Sequence, residues 1–125
     1  MKVEPAAADL LAIARATILS EVVPALPEAQ RYAALMAANA LAIAGRDLAA
    51  PASGATEIAG IAGLLGDWVP GGDATADLRD GTTRLAARIR DGRFDEGTAR
   101  ARLRAFLREA TAARLAVSNP KALPR

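Results

Sequence analysis

The stretch Arg31-Tyr-Ala-Ala-Leu-Met-Ala-Ala-Asn-Ala-Leu-Ala-Ile-Ala-Gly-Arg-Asp-Leu48 constrains this chain more than any other. Its residues are good helix formers, and from Tyr32 to Ala44 it is apolar on nearly every side. A helix that is apolar all round belongs in the middle of a packed domain. The run of 13 residues between Tyr32 and Ala44 is too short to span a bilayer, which needs about 20. One polar side chain, Asn39, stands at its centre. A central helix over about 28–49 is therefore predicted, with wet ends at Gln30 and Arg31 and at Arg46 and Asp47.

The rest of the chain supplies companions for that helix. Leu10, Leu11, Ala14, Ile18 and Val22 recur at three- and four-residue spacing, which predicts a first helix over about 6–23, ended by Pro24 and Pro27. Ala50 to Ala55 reads as a loop, with Thr56 capping a helix over about 57–68. Gly60, Gly63 and Gly66 weaken that helix by roughly 1 kcal/mol each relative to Ala, so packing must hold it. Asp73 caps a helix over about 74–91, with Leu78, Leu85 and Ile89 facing inward and Gly92 as its left-handed end. Asp95 caps a last helix over about 96–117. Short connections imply antiparallel neighbours. The expected fold is all-α: a compact bundle of about five antiparallel helices around the central apolar helix, as a single domain over 1–125. A short flexible N-terminus and a proline-containing tail flank it.

Composition narrows the chemistry. A 125-residue chain of 12.9 kDa buries about two-thirds of its open-chain surface, enough for a core without metals or disulfides. There is no Cys and no His. A thiol nucleophile and a thiolate metal site are thereby excluded, and the commonest neutral-pH base and metal ligand are missing. The start lacks a basic-then-apolar secretory pattern, so a cytoplasmic location is expected. Charge is uneven: residues 1–75 carry 4 basic and 8 acidic side chains, whereas residues 76–125 carry 12 and 6.

Neither G-x-x-x-x-G-K-[ST] nor a strand-led G-x-G-x-x-G occurs, and no serine sits in a G-x-S-x-G elbow. Gly60, Gly63 and Gly66 fall inside a helical pattern and read as close packing. Two carboxylate pairs, Asp77 with Asp80 and Asp95 with Glu96, sit at caps or on wet faces, where helix-dipole roles explain them. The arginines are the better lead. Arg84, Arg88, Arg100, Arg104 and Arg108 share outer positions of the last two helices, and guanidinium groups recognise phosphate bidentately. The plainer reading is a solvated face paired with Asp80, Asp91 and Glu109. Nucleic acid is not expected, because sequence-tolerant binders add aromatic stacking and aromatic residues are few. For Asn39, the plain reading is a tie from the central helix to a neighbouring helix end or loop carbonyl. The sharper one is a polar contact in a pocket or partner groove.

Several segments occur together and in order: Ile18-Leu-Ser-Glu-Val-Val-Pro-Ala-Leu26, Arg31 with Ala37-Ala-Asn-Ala-Leu-Ala-Ile43 and Arg46-Asp-Leu48, Ile89-Arg-Asp-Gly-Arg-Phe-Asp95, and Leu115-Ala-Val-Ser-Asn-Pro-Lys121. From about Asp9 to Lys121 the chain resembles a family of small bacterial helical domains of unknown function. Such domains occur fused to, or encoded beside, aminoglycoside-phosphotransferase-like kinases, often near acyl-CoA dehydrogenases. Ser118 stands where that pattern has Ala. The resemblance implies a helical accessory module and carries over no catalytic residue; Arg31, Asn39, Arg46 and Asn119 are the polar members of the matching motifs.

The expected function is a non-enzymatic accessory or interaction domain. Its partner would be a phosphotransferase-like kinase or an acyl-CoA dehydrogenase, with no nucleic acid and no membrane. An alternative is a small-ligand binder that recognises a phosphate-bearing nucleotide or acyl-CoA. A third is self-association through alanine-rich faces, giving a homo-oligomer. Candidate contact residues are Arg31, Asn39, Arg46, Arg84, Arg88 and Asn119; no catalytic residue, cofactor or metal is expected.

Overall fold

The computed structural model describes residues 3–50 and 53–125. Those residues form five α-helices and no strand: α1 (Ala7–Thr17), α2 (Glu28–Ala49), α3 (Ser53–Leu65), α4 (Ala74–Arg90) and α5 (Gly97–Ser118). The all-α expectation holds, and α2 has the predicted bounds. Part of the expected flexible start falls on Met1 and Lys2, and part of the expected loop on 51–52; these lie outside the described residues.

The helix ends follow local chemistry. At α1, the Ala6 N–H donates to the Asp9 carboxylate at 3.2 Å, which satisfies one free donor at the helix start. The first helix is not α-helical to Val23 as predicted. It widens to a π turn over Ile18–Val22, where the Val23 N–H reaches the Ile18 carbonyl, and then tightens to a 3-10 turn over Val23–Ala25. Pro24 has no N–H, and its ring displaces the carbonyl four residues back. The Ser20 hydroxyl donates to the Ala16 carbonyl at 2.8 Å within the same bend.

Two further boundaries differ from expectation. α3 begins at Ser53, so Thr56 lies within it rather than capping it, and it ends at Leu65 rather than Trp68. Gly66 takes φ +76° and its N–H bonds the Ala62 carbonyl at 2.9 Å, so it terminates the helix instead of occupying its interior. α5 begins at Gly97, also at positive φ; Asp95 does not cap it but closes a turn by donating its N–H to Gly92. α4 behaves as predicted. Asp73 accepts from Ala76 N–H at 2.9 Å. After Arg90 the N–H of Arg93 bonds Arg88 O and that of Gly92 bonds Ile89 O, a Schellman ending.

Contacts group the described residues into two units. One holds α3, α4 and α5 as far as 115. Its core is Ile61, 1% exposed, with Leu65, Leu85, Phe94 and Leu103, flanked by Leu64, Trp68, Leu78, Ala99 and Phe106. Gly81 makes the α3–α4 contact possible: a Cβ there would lie 2.8 Å from the Trp68 ring and 3.1 Å from Ile61 Cγ2. Asp77 is the buried charge of this unit. Its Oδ1 accepts from Gly71 N–H at 2.7 Å and its Oδ2 from Gly72 N–H at 2.9 Å, which pins the loop ahead of α4. Ile89, expected inside, is exposed, and so is Val69.

The other unit holds α1, α2 and the chain from 116, including a 3-10 turn over Pro120–Ala122. α1 packs against α2, and Ala38 is the buried residue of α2. α2 is thus not the centre of the core. It contributes one buried residue, while Tyr32, Leu35, Met36 and Leu48 are exposed and Ile43 is half-buried. On the side that meets α1, Leu41 is the only large apolar side chain among Ala42, Gly45 and Ala49, which offers little area to bury.

Charge-assisted hydrogen bonds donated to a buried carboxylate are worth more than an exposed cap. Asp77→Ala should cost about 2–3 kcal/mol in urea-induced unfolding, since both glycine N–H groups lose their acceptor. Asp73→Ala should cost only about 1 kcal/mol in the same assay. Equal losses would show that the Asp77 staple contributes nothing beyond an ordinary cap.

Candidate functional site

The outer face of α2 is the most unusual surface of the first unit. Leu35 and Met36 lie three and four residues after Tyr32, and Asn39 lies three and four residues after Met36 and Leu35, so the four share one side of the helix. Tyr32 is 72% exposed and Met36 48%. Asn39 is exposed as well and makes no hydrogen bond among the described residues. The plain reading of Asn39, a buried tie to a neighbouring element, is therefore overturned. Leu41, Ala42, Gly45, Arg46 and Ala49 face α1 residues across a cleft, and Asn39 is not among them. A free amide amid apolar side chains offers one donor and one acceptor group to whatever covers the face.

The opposite side of the α1–α2 pair opens into a cleft of about 450 Å³. Leu11 and Leu41 form its apolar wall, and Arg15 and Arg46 bring two guanidinium groups to it. Gly45 keeps this end narrow: its missing Cβ would lie 3.9 Å from Leu11 Cβ, in ordinary contact. Arg46 is half-buried and its Nε donates to the Val117 carbonyl at 2.7 Å, which orients it, while its terminal nitrogens make no hydrogen bond among the described residues. Sequence reasoning found Arg46 and missed Arg15.

The remaining candidates have structural employment. Arg31 donates from Nε to the Leu26 carbonyl at 3.0 Å and fixes the turn before α2. Asn119 is exposed, and its backbone carbonyl accepts from Ala122 N–H in the final 3-10 turn. Arg84 pairs with Asp80 one turn away at 2.9 Å. Arg88 donates to both carboxylate oxygens of Asp67, at 2.8 and 2.7 Å, and to the Leu65 carbonyl at 3.3 Å. Arg102 donates to the Gly63 carbonyl at 3.1 Å. Arg88 and Arg102 thus satisfy carbonyls at the C-terminus of α3, where intrahelical partners run out. The expected basic surface divides accordingly: Arg84 and Arg88 are paired locally, whereas Arg100, Arg104 and Arg108 form an exposed row on α5 with no partner among the described residues.

These pairs leave an electrostatic trace. The hydrogen bonds from Arg88 hold the Asp67 carboxyl below the ordinary carboxylate range, and those from Arg84 and the Trp68 indole do the same for Asp80. A carboxylate whose pKa is lowered by folding adds stability above its unfolded pKa, and that contribution fades as pH falls through the folded value. Arg88→Gln should therefore raise the Asp67 midpoint in a carbon-detected NMR titration and leave Asp80 in place. Movement of both, or of neither, would show that the two pairs are not the separate local contacts described above.

Among the described residues, no single helix is long and apolar enough to cross a membrane. Comparison with known families gives one match: a model described as Domain of unknown function (DUF6285) covers residues 24–122. No curated protein and no solved structure matches the chain.

Proposed function

The chain belongs to that family of domains of unknown function, and on this premise we propose that it acts as a non-enzymatic accessory module that docks a partner protein on the outer face of α2. The supporting observation is the exposed row of Tyr32, Leu35 and Met36 around the unpaired Asn39 amide. Aromatic and methionine side chains are enriched at the centres of interfaces, where they supply most of the contact area. One amide in such a patch sets register, because a partner that leaves it unpaired forfeits a hydrogen bond on burial. The partner is a phosphotransferase-like kinase or an acyl-CoA dehydrogenase, following the resemblance of the motifs between Ile18 and Lys121. Association would cover a helix that α1 covers on one side only.

Sedimentation of the purified chain with each purified enzyme tests the proposal directly. One of the two should form a stoichiometric complex, and Met36→Asp should weaken it at least about tenfold, the scale of a central interface residue. Met36 is exposed, so the variant should fold as the parent does. Failure of both enzymes to bind, or binding that Met36→Asp leaves unchanged, would refute docking on this face.

A second reading rests on a separate observation, the convergence of Arg15 and Arg46 on the α1–α2 cleft. A phosphate-bearing ligand, a nucleotide or an acyl-CoA, would place its phosphate on these two guanidinium groups and its apolar part along Leu11 and Leu41. Binding to the folded state alone raises stability by about 2.7 kcal/mol at a hundredfold excess over Kd. Under this reading an acyl-CoA raises the thermal midpoint of the parent and not that of Arg15→Ala. An equal response of parent and variant removes the cleft from consideration.

A further inference from the structure

In the second unit, α3 and α5 enclose a cleft of about 470 Å³. Thr56, Glu57 and Gly60 line it from α3, and Phe106, Glu109 and Ala113 from α5. Each set recurs at helical spacing and so shares one face. The hollow is a product of missing side chains. A Cβ on Gly60 would fall 2.8 Å from two Phe106 ring carbons, so the bare backbone lets that ring lie against α3. Ala113 leaves the α5 wall low. The volume lies within the range of small-molecule sites, which are mostly apolar with a few convergent polar groups.

The polar groups here share one character. Glu57, Glu109 and Thr56 all bring oxygen acceptors, and no lysine or arginine lines the cleft. Arg114 reaches Glu57 from a neighbouring groove, which it lines together with Thr75, Arg79 and Thr83, and it binds the Oε1 atom. Oε2 of Glu57 accepts no hydrogen bond among the described residues, although the side chain is only 14% exposed. Glu109 is exposed and has no partner among the described residues. The lining carries two carboxylates, and Arg114 brings one guanidinium to one of them, so the lining side chains favour positive charge. An anion would be repelled. A neutral apolar molecule would cover Glu57 without giving Oε2 a donor, which is costly for a charged group. An ammonium group carries three donors and no acceptor, and an aromatic ring attracts a cation held near it.

We propose that this cleft binds a small organic cation, an ammonium group on an apolar, preferably aromatic, body. The ammonium sits between Glu109 and the free oxygen of Glu57, with the Thr56 hydroxyl as a third acceptor. The body lies on Phe106 and Ala113. This site is independent of the α2 face and of the α1–α2 cleft.

The test uses the full chain and three probes of one shape: phenethylammonium, 2-phenylethanol and 3-phenylpropionate. Phenethylammonium should bind saturably, with amide NMR shifts confined to residues 56–60 and 106–113. The alcohol should bind about fivefold more weakly, the scale of an exposed ion pair, and the carboxylate not at all. Glu109→Gln should weaken amine binding by a similar factor. Ala113→Leu fills the cleft without changing its charge and should abolish binding; both positions are exposed, so both variants should fold. Absence of saturable amine binding, equal binding of the three probes, or indifference to both substitutions would each overturn the proposal.

Discussion

The unit built from α3, α4 and α5 depends on one close approach. The Trp68 ring and Ile61 lie against α4 where Gly81 has no side chain. Without that gap Trp68 could not cover the α3–α4 seam, nor could its indole N–H reach Asp80 at 2.8 Å. Ile61, Leu65 and Leu85 then close around it with Phe94 and Leu103. Core packing at organic-crystal density leaves little slack, so one absent methyl group fixes the distance between two helices.

The same unit explains why so many arginines are not free. α3 has glycine at 54, 60 and 63, and its own propensity is poor. Arg88 and Arg102 reach across to its last carbonyls, and Arg88 also grips Asp67 beyond its end. A weak helix is thus held at its C-terminus by guanidinium groups from α4 and α5. Spacing within α4 and α5 showed which arginines share a face, but it could not show that a carbonyl on another helix lay within reach. What remains for external recognition is smaller than the sequence promised: Arg15 and Arg46 at one cleft, and the row Arg100, Arg104 and Arg108.

The first unit has the opposite economy. Its helices meet through alanine and glycine, which bring backbones close and bury little area. Tyr32, Leu35, Met36, Leu10 and Ile13 are left largely uncovered. Contiguous exposed apolar side chains on a folded chain mark interaction sites more often than they occur without cause. Asn39 changes its meaning in this setting, from an internal tether to the single polar mark on an otherwise greasy face.

The sequence by itself determined the helices. The bounds of α2, the Asp73 cap, the Gly92 ending and the break at Pro24 all follow from propensity, capping and proline chemistry, which act within a few residues. Glycine was the ambiguous letter: Gly66 and Gly97 serve as positive-φ ends, but the residue type alone also allows a helix interior. The sequence could not orient α2. A helix that is apolar on every side has no polar face to point at water, so periodicity says that it is buried somewhere but not which side is covered. Only the tertiary structure decided that α1 takes the alanine side and that the core forms around Ile61 instead. The same holds for the candidate sites, because a cleft arises where small residues from two distant segments face each other, and no spacing along one chain segment records that meeting.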